Sequence, residues 1–175
     1  MVELVVADEA RVQEIVAAFR DVVWPLPIED GKRLADSLGW RMEMDLSNGA
    51  QYFSGMLDAA GGTADVLVSY LDVDVAEVKV NLCNFSKEHA RKDMLAVRKQ
   101  MTACVKSVLG EPSGKQRGNA YWDLENRGRI WAKNIDLTVL LQILHPRYAD
   151  IERAEEHFGI PEDRVPGTGS ESDYL

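Results

Sequence analysis

A chain of 175 residues, 46% hydrophobic and 28% charged, has the size of one domain and enough apolar content to bury a core. It contains no apolar run near the roughly 20 residues of a membrane span, MVELVVADEA does not read as a secretory leader, and Cys83 and Cys104 have the spacing of neither a zinc knuckle nor a disulfide framework. The net charge of −9 is uneven: −9 over residues 1–80, +5 over 81–117 and −5 over 118–175. A field of that sign repels phosphate backbones, so it argues against nucleic acid and for a basic protein as partner.

Asp8 is placed to cap a helix running to about Val22, with Val12, Ile15, Val16 and Phe19 on one face at helical spacing. Trp24-Pro25-Leu26-Pro27 ends it, because proline cannot continue a helix interior. A second helix is predicted from about Glu29 to Leu38. Leu34, Ala35 and Leu38 form its stripe, Glu29 and Asp30 suit its dipole, and Gly39 suits a left-handed cap. The period then changes from 3.6 to 2. Trp40, Met42 and Met44 alternate with Arg41, Glu43 and Asp45, the pattern of a half-buried strand. Ser47-Asn48-Gly49 predicts a hairpin turn, since Asn-Gly tolerates positive φ at both central positions. Gln51 to Leu57 is the returning strand, Asp58 to Thr63 a turn, Ala64 to Leu71 a third strand, and Val73 or Val75 to Leu82 a fourth. In that fourth strand Val78, Val80 and Leu82 face one way and Glu77, Lys79 and Asn81 the other, so one sheet face needs helix cover.

Ser86 is placed to cap the longest helix, from about Lys87 to Leu109, whose stripe is Met94, Val97, Met101, Cys104 or Val105, and Val108. Lys87, Arg91, Lys92, Arg98, Lys99 and Lys106 line its polar side, and Gly110-Glu111-Pro112 ends it. Ser113 to Asn119 reads as a loop. Ala120 to Leu124, Arg129 to Asn134 and Leu137 to Leu144 read as strands, the last almost wholly apolar and hence central and covered on both faces. Pro146 starts a final helix to about Phe158. From Pro161 onward Pro, Gly, Ser and acidic residues dominate. The expectation is one α+β domain over residues 1–160 and a mobile tail over 161–175. Its element order is α-α-β-β-β-β-α-β-β-β-α, with antiparallel meander sheet packed against the helices.

Few residues have the spacing that chemistry needs. His89 reads as solvated helix surface. His145 and His157 flank the last helix with Glu152, Glu155 and Glu156 between them, but Glu155 and Glu156 do not share the face of His157, so no metal is expected. Asp72, Asp74 and Glu77 crowd one connection; calcium needs more oxygen ligands and usually a glycine bend, so they read as a charged strand edge. No nucleophile elbow, zinc-protease pair or phosphate loop occurs, and no cofactor is expected. Trp40, Trp122 and Trp131 sit in strand patterns and read as core. Trp24, in a proline-bounded junction, reads either as a lock between two helices or as an exposed anchor for a partner.

Trp24-Pro25-Leu26, Leu38-Gly39-Trp40, Leu109-Gly110-Glu111-Pro112, Trp122-Asp123-Leu124 and the apolar strand Leu137 to Leu141 together resemble a family of small, acidic, uncharacterised actinobacterial proteins. The resemblance runs from about Val12 to Ile151 and brings no catalytic residues with it. It implies immunity or accessory proteins that act beside secreted polymorphic toxins. The element order is also similar to type III secretion chaperone-like folds, an analogy of fold alone. The leading expectation is a cytoplasmic, non-catalytic immunity protein that occludes a basic toxin domain, with no nucleic-acid or membrane partner. Glu29, Asp30, Asp36, Asp58, Asp72, Asp74 and Glu77 are its acidic contacts and Trp24 its apolar anchor. A secretion chaperone or adaptor acting as a homodimer, and an enzyme of unknown type, are the alternatives.

Overall fold

The computed structural model describes residues 2–159. The chain forms α1 (Glu9–Arg20), α2 (Ile28–Ser37), β1 (Arg41–Leu46), β2 (Gly49–Phe53), a 3-10 turn at Asp58–Ala60, β3 (Val66–Leu71) and β4 (Asp74–Asn81). It continues through α3 (Arg91–Leu109), β5 (Gly114–Gln116), β6 (Asn119–Asp123), β7 (Arg129–Ile135), β8 (Thr138–Leu144) and α4 (Pro146–His157). The fold is α+β. The strands make one antiparallel sheet in the order β1-β2-β3-β4-β8-β7-β6-β5. Two four-stranded meanders, each preceded by a helix, therefore meet last strand to last strand, with Val80 opposite Leu141. α2 is an addition to the first half and α4 an addition to the second.

One sheet face, the front, carries the main core. Asp8 caps α1 by accepting from the Arg11 N–H, and α1 buries Val12, Ile15, Val16 and Phe19. α3 buries Met94, Val97, Met101, Cys104 and Val105 beside it. Both helices close over Val66, Val78, Val80, Ile130, Leu141 and Ile143. Each such side chain contributes about 1.5–3 kcal/mol on burial, which makes this layer the main stabiliser of the fold. As expected, β8 is central and buried on both faces, and Trp40, Trp122 and Trp131 are core residues.

Several local expectations are corrected. β1 is exposed along its whole length, and a bulge between Met42 and Met44 breaks the alternation. The extra residue puts Met42 opposite Tyr52 but Met44 opposite Gln51, on the other face. The β1–β2 hairpin forms where expected, yet neither Asn48 nor Gly49 has positive φ. Gly49 answers a different need: a Cβ there would lie 2.4 Å from the Val68 carbonyl oxygen. The long helix starts at Arg91, not near Lys87, and has no side-chain cap. Ser86 instead receives the Glu88 N–H in a tight turn, and His89 is buried, not solvated, with Nε2 3.0 Å from the Asn84 carbonyl. Residues 113–119 form the β5–β6 hairpin and not a loop, with positive φ at Arg117 and Gly118. The expectation of a mobile tail over 161–175 lies outside the described residues.

Candidate protein-interaction surface

The expected acidic contacts come from three stretches of chain, and the fold brings four of the seven together. Pro27 bridges Asp74, the Ile28 N–H donates to the Val73 carbonyl at 3.0 Å, and the Val75 N–H donates to the Leu26 carbonyl at 2.8 Å. These bonds fix the start of α2 against the β3–β4 turn, so Glu29 and Asp30 share one end of the molecule with Asp72 and Asp74. Asp72 has φ 55°, a left-handed turn position that aspartate tolerates better than most residues. Val73 projects from the centre of this turn, 73% exposed, and Val23 is exposed in the segment leading to it.

The charges there differ in freedom. Asp30 pairs with Arg33, and Lys32 reaches Glu29 at 3.4 Å and Asp45 at 2.9 Å. Such exposed pairs are worth roughly 0–1 kcal/mol and rearrange readily. Among the described residues no ion pair holds Asp72 or Asp74. The other expected contacts lie apart. Asp36 is exposed farther along α2, Asp58 sits in the 3-10 turn, and Glu77 lies on the back of β4, bonded to Lys79 and Gln142. Trp24 is partly buried, with its ring 5.3 Å from His145 and its Nε1 against the Gly128 backbone, so the contacts seen join it to the second half and are not a lock between α1 and α2.

Behind β1–β4 no described element covers the sheet. A groove of about 450 Å³ runs along it, lined by Glu43, Gln51, Asp65, Leu67, Lys79 and Asn81. Met44, Leu46 and Leu67 lie exposed on this surface. Sequence reading missed both Val73 and this apolar patch. The signal for Val73 was an isolated valine between two aspartates at a strand break; the patch had none, because the bulge changes which residues face backward.

The polar groups usable in catalysis are dispersed. Nδ1 of His145 accepts from the Arg147 N–H at 2.9 Å and caps α4, and the His157 ring packs against Phe158. The Ser54 hydroxyl donates to buried Asp65 and accepts from the Met56 N–H, tying β2 to the loop that follows. Cys83 and Cys104 are free and buried. Burial raises both thiols, and Glu9 and Asp8 help push Cys104 to about 11. Among the described residues no group of three or more His, Cys, Asp or Glu side chains is arranged to hold a metal ion. No described helix is long and apolar enough to cross a membrane.

These features define an α+β domain with an acidic, valine-tipped end and a half-bare sheet. The chain belongs to DUF6301, a family of unknown function, whose model matches residues 10–145. That span runs from α1 through β8 and stops where α4 begins. Searches of curated proteins and of solved structures gave no match.

Proposed function

We propose that the chain is a non-catalytic protein-binding module, an immunity protein that neutralises a basic toxin domain by docking its acidic end over that domain's site. The observation that carries this reading is the gathering of Glu29, Asp30, Asp72 and Asp74 around the exposed Val73 by backbone bonds between α2 and the β3–β4 turn. An apolar tip ringed by like charges matches interface anatomy, in which a small apolar centre supplies affinity and the charged rim supplies steering. The partner would present a shallow apolar recess rimmed by Lys or Arg, as a site that binds phosphate does. The histidines support the non-catalytic reading, since His89 and His145 bond to backbone and, among the described residues, none of the three joins an acid–base pair. The buried reduced thiols suit a cytoplasmic location.

The test is affinity capture of the tagged chain from its native cells, followed by reconstitution with the recovered partner. The expected result is a stoichiometric complex with a basic domain whose activity falls on binding. A partner that is acidic, or one whose activity is untouched in the complex, would contradict the reading.

A further inference from the structure

The back of the second half is built differently from the acidic end. Arg129 is only 1% exposed, yet it is a cation. Its guanidinium meets Asp123 at 2.8 and 3.2 Å and Glu156 at 2.6 Å, and lies 4.0 Å from the Tyr121 ring centroid. Trp131 packs against Tyr121 with the rings tilted at 51°, carries the Lys133 ammonium 4.2 Å from its ring, and donates from Nε1 to Glu152 at 2.8 Å. The sheet thus offers one guanidinium, one ammonium and one indole N–H on aromatic walls. α4 answers with Glu152 and Glu156, one helical turn apart.

α4 sits there with inverted polarity. Glu152 and Glu156 face the sheet, while Ile151 in the helix and Phe158 just after it are 47% and 65% exposed. Ala149 is its one fully buried residue, in a small cluster with Trp131 and Leu144. A helix held mainly by charged groups gains little from apolar burial and pays desolvation on both sides. Arg129 keeps its two bonds to Asp123 without α4, so the sheet does not need the helix to satisfy its buried cation. The surface itself lies within the span matched by the family model, and α4 lies outside it.

We propose that the surface formed by Tyr121, Arg129, Trp131 and Lys133 is a docking site for an acidic amphipathic helix with two carboxylates one turn apart, and that α4 occupies it in cis as a displaceable occupant.

The test uses the full chain carrying Glu152→Gln and Glu156→Gln, which weakens the occupant and leaves Asp123 on Arg129. The probe is a fluorescent peptide of residues 145–159. Binding to the variant should be roughly tenfold or more tighter than to the parent chain, and should fall by a similar factor when both glutamates of the peptide are glutamine. No binding to the folded variant, or equal binding of the glutamine peptide, overturns the proposal. Hydrogen exchange on the unmodified chain serves if the variant does not fold. The α4 amides should exchange by local opening, about 100-fold or more faster than those of β7 and β8; matching rates would overturn it.

Discussion

The two halves of this molecule share one plan, a helix followed by a four-stranded meander, and differ in how they treat the back of the sheet. In the second half Arg129 and Trp131 are buried beneath α4 in a network of carboxylates. In the first half no described element covers the equivalent face, and Leu67 is exposed beside a groove along β2–β4. Charge divides the same way, since residues 1–80 carry the whole −9. The front core is common to both halves, while the back face is buried and ion-paired only in the second.

The sharpest way to break that comparison is to mutate one side chain on each back face. Arg129→Ala leaves Glu156 without its cation and Asp123 with Arg153 alone, and should cost about 3–5 kcal/mol in urea unfolding. Leu67→Ser, on the bare half, should change stability by under about 0.5 kcal/mol. A first-half loss as large as the second-half loss would show that the bare face is structural.

Next in size is the shared front layer. Met101→Ala empties a fully buried site in α3 and should cost about 2–5 kcal/mol, lowering the stability of both halves in one transition. Separate transitions for Trp40 and Trp122 fluorescence would show the halves to be independent. Gly49→Ala is smaller and confined to the first half. Its methyl meets the Val68 carbonyl oxygen at 2.4 Å, so strand β2 must shift, at about 1–3 kcal/mol by thermal unfolding.

The smallest expected effect is one of pH, and it belongs to α4. Burial lowers the His145 pKa below its ordinary 6.5; Arg147 adds to this, while Asp74 and Asp150 oppose it, and the Trp24 ring packs alongside. The neutral ring accepts the Arg147 N–H, and protonation removes that acceptor. The cap is therefore intact above the unfolded pKa and is lost as pH falls through the lower folded value, weakening α4 by about 1 kcal/mol. Hydrogen exchange at pH 7.5 and 5.5 should show loss of protection in α4 and none in β8. Equal change in both would sink this account of the cap.

How much of this was legible in the sequence depended on whether a local pattern or a distant contact decided each position. The helical stripes of α1 and α3 and the apolar run of β8 were readable, because burial against one core writes itself into spacing. The bulge in β1 was not, since Arg41 to Leu46 alternates as a regular strand would. Asn48-Gly49 located a hairpin without setting its geometry, whereas Arg117-Gly118, a less obvious pair, adopts positive φ at both residues. Arg129 read as an ordinary strand residue because its carboxylates lie 6, 23 and 27 residues away along the chain. The acids of the candidate surface were nameable from composition. That Glu29 and Asp30 join Asp72 and Asp74, while Asp36, Asp58 and Glu77 do not, follows from tertiary bonds that no spacing reveals.

The central claim, that the acidic end is the docking surface, is tested most directly by association kinetics with the captured partner. The parent chain would be compared with a chain carrying Asp72→Lys and Asp74→Lys, at low and high salt. The account predicts an association rate roughly tenfold or more slower for the variant at low salt, with the gap closing as salt rises. Equal rates at low salt, with a complex that still forms, would contradict it and move the interface elsewhere on the molecule.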